Sequence, residues 1–339
     1  MHSGTADILG HHTVIDRLWD ALARGVLHHA YLFEGPSGVG KRMVALRLAM
    51  AANCTGTESG DRPPCGRCPP CKQIAAGSHP DVIVLAPDPK RATAIIPVDA
   101  VREVVRVAGY HRYNSKRRFI LIDPAEALQP AAANALLKTL EEPPEGTGFI
   151  LIATHASALL PTIVSRCQRV RFSAVPEADI TQWLTTQRKD QPELAARLSL
   201  GCPGKALALA EGRLASRADM RQSLVHALHG GSSSIFDWSA KLTKGSRQEW
   251  SARVEALMAL IEDLLRDVVV LGSGSSAPLL NVDNRPLVEK WQAALWPRGV
   301  GACQAAIAEA REEMLVNVQG KLVLDAMLLR IRHELGARA

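Results

Sequence analysis

The chain has 339 residues, of which 47% are hydrophobic and 22% are charged, the proportions of a globular protein long enough for two or three domains. No apolar run reaches the ~20 residues of a membrane span, and the N-terminus lacks the basic and apolar segments of a signal peptide, so a cytoplasmic location is expected. The net charge of +6 permits contact with nucleic acid without requiring it, and an aromatic content of 4% argues against a base-stacking surface.

Short apolar runs that alternate with helical stretches occupy the first half of the chain. We expect strands at Ala30–Phe33, Val82–Ala86, Phe119–Asp123, Phe149–Ala153 and Arg169–Phe172, and helices at Val14–Arg24, Arg42–Ala52, Val98–Ala108 and Pro130–Leu140. Alternation of this kind predicts an α/β fold with a mostly parallel five-stranded sheet, covered by helices and ending near Phe172.

Only helices are predicted beyond this point. Residues 174–213 predict a small helical module, with helices at Pro176–Arg188 and Pro192–Leu198. From 214 to 339 apolar residues recur at helical spacing, which predicts an all-α segment. Such an apolar stripe is ordinarily core, and its surplus could form a subunit interface.

The stretch from Gly35 to Arg42 reads Gly-Pro-Ser-Gly-Val-Gly-Lys-Arg between a predicted strand and a predicted helix, the context of a phosphate-binding loop. Gly35, Gly38 and Gly40 let backbone N–H groups turn toward phosphate oxygens, and Lys41 would reach the outer phosphates. A Ser or Thr usually follows the lysine and holds Mg²⁺, whereas Arg42 has no oxygen to offer. We therefore predict a nucleotide site with an impaired metal position; a plain glycine turn is the alternative.

Four cysteines stand close together at Cys54, Cys65, Cys68 and Cys71. Two overlapping C-x-x-C steps allow neighbouring thiolates to converge on one ion, and Cys54 would close a tetrahedron from the end of the preceding helix. Four thiolates with no open position predict a structural Zn²⁺ site. A redox pair is the alternative, but it would not explain four cysteines.

The strand ending at Asp123 resembles the second motif of a nucleotide hydrolase, in which the aspartate binds Mg²⁺ through water. A working ATPase of this kind usually has a glutamate next, which activates the attacking water. Here Pro124 occupies that position. Glu126 lies two residues further on, beyond the strand end, so we do not assume that it takes over the role of the missing glutamate. Hydrolysis by this chain alone is therefore not expected.

The tripeptide Ser165-Arg166-Cys167 precedes the last predicted strand. An arginine at such a place can project into the nucleotide site of a neighbouring subunit, where its planar cation would meet the γ-phosphate. Taken alone, a surface arginine in a salt bridge is the commoner situation.

Together these residues resemble the bacterial clamp-loader family of AAA+ proteins over essentially the whole chain. The resemblance rests on the loop Gly35–Lys41, the four cysteines, His79–Asp81, the stretch Asn-Ala-Leu-Leu-Lys-Thr-Leu-Glu-Glu-Pro-Pro at 134–144, Thr154 after its strand, and Ser165–Cys167. It implies an AAA+ P-loop domain with a zinc knuckle at 1–173, a helical lid at 174–213 and an oligomerising helical collar at 214–339.

Three departures from an active ATPase of that family imply a subunit with little or no ATPase activity. Arg42 replaces Ser or Thr, Pro124 replaces the catalytic glutamate, and Gly204 stands where a sensor arginine is usual. The family resemblance then implies a stator that helps place the sliding clamp on primed DNA within the DNA polymerase III assembly.

The resemblance also implies roles for individual residues and for partners. Arg166 would act as an arginine finger in the ATP site of a neighbouring gamma/tau subunit, and the phosphate-binding loop with Asp123 and Thr154 would hold ATP or ADP, with Mg²⁺ disfavoured. The partners implied are the delta and gamma/tau subunits, the sliding clamp beta indirectly, and the phosphate backbone of primed DNA at the replisome on the nucleoid. Arg102 and Arg106 could contact phosphates, or simply form a solvated helix face.

Two other interpretations remain open at this stage. The chain could be an active ATPase subunit of the clamp loader, which the intact Gly35–Lys41 loop favours and Arg42 and Pro124 oppose. A separate P-loop kinase is the third, and it explains neither the cysteines nor the stretch at 134–144.

Overall fold

The computed structural model describes residues 8–56, 63–88, 95–113, 115–315 and 318–336. The chain divides into two compact units, Met1–Leu207 and Ala208–Ala339. The first buries apolar cores on a sheet, and the second buries an apolar core among helices.

A five-stranded sheet organises the first unit, with the strands in the order β2-β3-β4-β1-β5. Its strands are β1 (Ala30–Glu34), β2 (Val82–Leu85), β3 (Arg118–Ile122), β4 (Thr147–Ala153) and β5 (Gln168–Arg171). All four pairings are parallel. The predicted mostly parallel sheet of five strands is confirmed. The continuous apolar runs of β1, β3 and β4 follow from burial on both faces, whereas the edge strand β5 is largely exposed.

The first unit also contains α-helices. They are α1 (His12–Ala23), α2 (Lys41–Asn53), α3 (Pro69–Ala75), α4 (Val98–Ala108), α5 (Pro130–Glu141), α6 (Pro161–Val164), α7 (Glu177–Thr186), α8 (Pro192–Leu198) and α9 (Pro203–Ala208). Phe33 and Ile150 of the sheet join the core with α1 and α2, whereas their neighbours Leu32 and Leu151 join the core with α4 and α5. Alternate side chains thus serve the two faces.

The second unit is helical throughout its described elements of regular structure. Its helices are α10 (Leu214–His229), α11 (Ser232–Leu242), α12 (Arg247–Gly272), α13 (Arg285–Leu295), α14 (Gly299–Leu315) and α15 (Gly320–Glu334). The longest, α12, begins with a capping box in which Ser246 and Glu249 satisfy each other's backbone N–H groups. Its residues Leu257, Leu264 and Val268 are fully buried, so the predicted apolar stripe is core.

The expected all-α C-terminal part is therefore confirmed. The predicted lid residues up to 207 fall within the first compact unit, and the division of the chain at 173 and 213 stays a prediction. Among the described residues, no helix combines the length and apolar character needed to cross a bilayer.

Candidate functional site: nucleotide pocket, cysteine cluster and arginine

The glycine-rich loop connects the end of β1 to the start of α2, as predicted. Gly35 has a φ of 149°, and a Cβ built on it would lie 2.3 Å from the carbonyl oxygen of Phe172. Because a side chain has no room there, the loop can leave the sheet beside β5 only with glycine at this position. Gly38 and Gly40 also have positive φ angles, 81° and 115°.

Lys41 is buried at the first position of α2, with 6% of its surface exposed. Its Nζ donates hydrogen bonds to the carbonyl oxygens of Gly35 and Pro36, the latter at 2.8 Å. Burial lowers the pKa of Lys41, while the nearby carboxylates of Glu126 and Asp123 act in the opposite direction. The lysine therefore lies folded against the loop that it would help to bind phosphate.

Arg42 pairs with the aspartate predicted to bind metal. Its Nη1 lies 3.2 Å from Oδ2 of Asp123, and the exposed fractions of the two side chains are 53% and 19%. In a working site the residue after the lysine and this aspartate together hold the ion. Here a guanidinium contacts the aspartate, so a protein cation stands beside the carboxylate that would otherwise face a metal.

Glu126 is a pocket residue that the sequence argument set aside. It lies on a short 3₁₀ turn, Ala125–Ala127, which follows Pro124. Its Oε1 accepts hydrogen bonds from the backbone N–H and, at 2.7 Å, from the hydroxyl of Thr154, while its Oε2 is buried without a hydrogen-bond partner among the described residues. The turn-forming proline directly after the strand is the sequence signal that could have indicated this return toward the sheet edge.

These residues line one cavity of about 360 Å³. Its polar part includes Lys41, Arg42, Asp123, Glu126 and Thr154, and its apolar part is lined by Ile8, Leu9, Trp183, Pro203 and Leu207. A cavity lined by two cationic side chains and by several apolar ones suits a ligand that carries both phosphates and an aromatic base. The structure thus brings together Lys41, Arg42, Asp123 and Thr154, all predicted from the sequence, in one pocket.

Gly204 joins the predicted lid to the phosphate-binding loop. Its backbone N–H donates to the carbonyl oxygen of Gly38 at 2.9 Å, and a Cβ at position 204 would lie 3.1 Å from that oxygen. Where a sensor arginine is usual, the chain therefore makes a close backbone contact between α9 and the loop.

The four cysteines converge as predicted. Cys54 directly follows α2, Cys68 directly precedes α3, and Cys71 lies in its first turn. All four Sγ atoms lie within 4.8 Å of one another, and those of Cys54 and Cys68 are 3.9 Å apart. Zinc–sulfur bonds of ~2.3 Å in a tetrahedron separate the sulfurs by roughly 3.8 Å, so the donor set fits Zn²⁺ in kind, number and spacing.

The surroundings of this cluster favour the thiolate form at one sulfur at least. Burial opposes ionisation of Cys68, but hydrogen bonds from the backbone N–H groups of Thr55 and Cys71 prevail and lower its pKa to about 6. Gly56, which sequence reasoning did not single out, packs against the cluster: a Cβ there would lie 2.7 Å from Sγ of Cys65. A residue with a side chain would therefore displace a ligand.

Arg166 does not line the nucleotide pocket. It follows α6, where its guanidinium donates to the carbonyl oxygen of Thr162 at 2.8 Å and pairs with the carboxylate of Glu141 at the end of α5. Its side chain is 31% exposed. Since Glu141 belongs to the stretch at 134–144, two separate motifs of the sequence meet in this ion pair.

Asp81, Arg102 and Arg106, also singled out in the sequence, pair with charged residues of the same unit. Asp81 is buried and accepts two hydrogen bonds from the guanidinium of Arg118, at 2.7 and 3.0 Å, so His79–Asp81 fixes the start of neighbouring strands β2 and β3. Arg102 and Arg106 are exposed on α4 and pair with Asp99 and Glu103 of the same helix. Their contact with DNA stays a prediction.

Comparison with known proteins places these features in a family. A family model described as "DNA polymerase III, delta subunit" matches residues 10–176. The DNA polymerase III subunit delta′ of Escherichia coli K12 is 33% identical over 314 residues, which are 91% of this chain and 90% of that protein. The tau subunit of the same organism is 34% identical over 220 residues, which are 62% of this chain but only 33% of tau.

Among solved structures, a gamma-subunit-related protein of Thermotoga maritima aligns with 95% of this chain and 99% of its own, at 19% identity and a TM-score of 0.45. The match to delta′ extends along nearly all of both chains, whereas the match to tau leaves most of tau uncovered. The predicted resemblance to bacterial clamp-loader proteins is confirmed, and the chain belongs to the delta′ family of DNA polymerase III subunits.

Proposed function

We propose that this chain is the non-hydrolysing stator of the DNA polymerase III clamp loader, working with the delta and gamma/tau subunits to place the sliding clamp beta on primed DNA. The observation that carries the proposal is the pairing of Arg42 with Asp123 in a pocket whose catalytic glutamate is replaced by Pro124. A stator keeps the architecture of its ATPase relatives while lacking their chemistry.

Loss of hydrolysis follows from two substitutions that act on different steps. Arg42 supplies no oxygen to a metal, and removal of a general base alone commonly costs ~10²–10⁴-fold in rate. Glu126 does not restore the base in this proposal, because its carboxylate is held on Thr154 through Oε1 and its Oε2 is buried. Passive occupation of the pocket by ATP or ADP remains part of the proposal, since Lys41 and the glycine loop are intact.

Arg166 would act outside its own subunit, as the arginine finger of a neighbouring gamma/tau ATPase. Its place outside the pocket of its own chain supports a role in trans. Its partner Glu141 is 47% exposed, and exposed pairs contribute only about 0–1 kcal/mol. The guanidinium could therefore exchange this carboxylate for a γ-phosphate at little cost in free energy.

The remaining assignments concern assembly. The four cysteines would hold a structural Zn²⁺ in the first unit, where the thiolates supply the ligands and the closed shell leaves no position for a reacting group. The helices after residue 213 would form the collar that joins the other subunits. Arg102 and Arg106 would contact the DNA backbone by exchanging their intrahelical carboxylates for phosphates.

An active ATPase subunit is the second candidate, and Glu126 is the observation that favours it. This carboxylate faces the same pocket as Lys41, and one of its oxygens is buried without a hydrogen-bond partner among the described residues. If that oxygen activated water, the purified chain would turn over ATP, and Glu126→Gln would abolish the turnover.

The finger is tested in the reconstituted clamp loader by Arg166→Ala. Removal of an arginine finger costs ~10³–10⁵ in turnover at the site that it serves, so we expect DNA-stimulated hydrolysis to fall while assembly, measured by gel filtration, is unchanged. Arg171→Ala is the matched control, because this arginine lies on adjacent β5 and is 75% exposed. Equal hydrolysis by the Arg166→Ala complex and the wild type would remove the assignment.

A further inference from the structure

We propose that the pocket binds a nucleoside triphosphate or diphosphate without a divalent metal, because the guanidinium of Arg42 takes the place of Mg²⁺. This inference rests on the proposed function in one respect, since it deepens the passive nucleotide site named there. It adds that Arg42 is the cation that neutralises the phosphates and that the site would disfavour Mg²⁺.

The position of Arg42 is the first argument. It follows Lys41 at the start of α2, and its Nη1 lies 3.2 Å from Oδ2 of Asp123. Both residues line the same cavity as Lys41 and Thr154. The guanidinium thus stands beside the carboxylate that a metal would use, on the phosphate side of the pocket.

The charges around that position are the second argument. Lys41, Arg42 and the positive end of the 13-residue helix α2 face Asp123 and Glu126, so the pocket already contains two cationic side chains. A Mg²⁺ ion beside Arg42 would be repelled by the guanidinium and would have to share Asp123 with it. Because Asp123 and Glu126 already balance Lys41 and Arg42 in charge, a polyphosphate would be held by the N–H donors of Arg42, Lys41, the loop and the start of the helix rather than by an excess of positive charge.

The chemistry of the guanidinium is the third argument. Its planar set of N–H donors can bind two phosphate oxygens at once. The side chain of Arg42 is 53% exposed, and an exposed pair of this kind is weak. Arg42 can therefore keep one N–H on Asp123 while turning others toward a ligand phosphate.

The apolar end of the cavity completes the fit to a nucleotide rather than to a bare polyphosphate. Ile8, Leu9 and Trp183 line it together with Pro203 and Leu207. A flat aromatic base would bury apolar area against these side chains, and inorganic triphosphate would not.

The test compares binding with and without magnesium. ATP is titrated calorimetrically into the full chain in buffer freed of divalent cations by a chelating resin, and again in excess Mg²⁺, with the zinc content of the protein verified in both cases. We expect the wild type to bind ATP at least as tightly without Mg²⁺ as with it. Inorganic triphosphate in the same titration should bind more weakly, since it lacks the base.

Arg42→Ser restores the usual hydroxyl and should reverse the preference, so that ATP binds at least tenfold more tightly with Mg²⁺ than without it. Arg42→Lys keeps the positive charge and should retain metal-independent binding, which controls for the loss of the long side chain. Thermal unfolding shows whether each variant is folded. If a variant does not fold, the comparison of ATP binding by the wild type with and without Mg²⁺ still tests the inference.

Wild-type binding that requires Mg²⁺, or no ATP binding under either condition, would overturn the inference. So would a folded Arg42→Ser variant that keeps the wild-type preference. None of these results would contradict the stator proposal. That proposal is tested separately by Arg166→Ala, whose effect on hydrolysis is measured at the nucleotide site of a neighbouring subunit.

Discussion

The cysteine cluster and the nucleotide pocket lie in the same unit, but the cluster keeps the residues typical of its family and the pocket has lost several of them. The cluster keeps all four ligands, with sulfurs spaced as a zinc tetrahedron requires. The pocket keeps its glycine loop and Lys41 but carries Arg42, Pro124 and Gly204 at positions that an active ATPase uses for chemistry.

If the proposed stator function holds, the difference indicates which parts such a subunit would still need. A closed metal site contributes its binding free energy directly to folding, so losing one ligand endangers the domain. A catalytic position contributes to turnover, and a subunit that does not turn over can replace it with residues that pair within the chain. Arg42 pairs with Asp123, Glu126 with Thr154, and Gly204 with Gly38.

Among substitutions at the two sites, Cys71→Ser is expected to have the largest effect on stability. Zinc binding in such sites contributes on the order of 10 kcal/mol to folding, which exceeds the stability of many domains. We expect the variant to lose zinc, measured by atomic absorption, and the first unit to lose its cooperative unfolding transition.

Cys167→Ser provides the control for this substitution. Cys167 lies outside the cluster, and burial raises the pKa of its thiol to about 12, so it stays protonated. We expect this variant to retain zinc. A folded wild-type protein that is fully stable without zinc would contradict the structural role of the cluster.

A smaller effect is expected where α9 contacts the phosphate-binding loop. Gly204→Ala would place a Cβ 3.1 Å from the carbonyl oxygen of Gly38, a contact that a shift of a few tenths of an ångström relieves. We expect a loss of about 1 kcal/mol or less in the free energy of unfolding, measured by denaturant titration.

Gly35→Ala is the matched comparison within the same glycine-rich loop. There the added Cβ would lie 2.3 Å from a backbone oxygen, at a φ of 149°, so the loss should be several times larger. Equal losses in the free energy of unfolding for Gly35→Ala and Gly204→Ala would contradict the idea that the distance from the added Cβ to the backbone oxygen decides the cost.

The sequence predicted the sheet and most helices because their signals are local. The strand expected at Val82–Ala86 is Val82–Leu85, and the helix expected at Val98–Ala108 has those bounds. The short helix Pro69–Ala75 was not predicted, although its first two residues are prolines, which are common in a first helical turn.

The candidate site was predicted in its residue types but not in its pairings. Lys41, Asp123, Thr154 and the cysteines belong to recognisable motifs, whereas the contact of Glu126 with Thr154 and that of Arg166 with Glu141 join residues far apart in the chain. Only the fold brings such partners together, and no local pattern specifies them.

Phosphate release by the purified chain, measured with ATP and Mg²⁺ in the absence of other subunits, tests the central claim most directly. We expect no release above the rate of a Lys41→Ala variant, whether or not nucleotide binds. Release at roughly 1 s⁻¹ or faster, abolished by Lys41→Ala, would contradict it and make this chain an active ATPase.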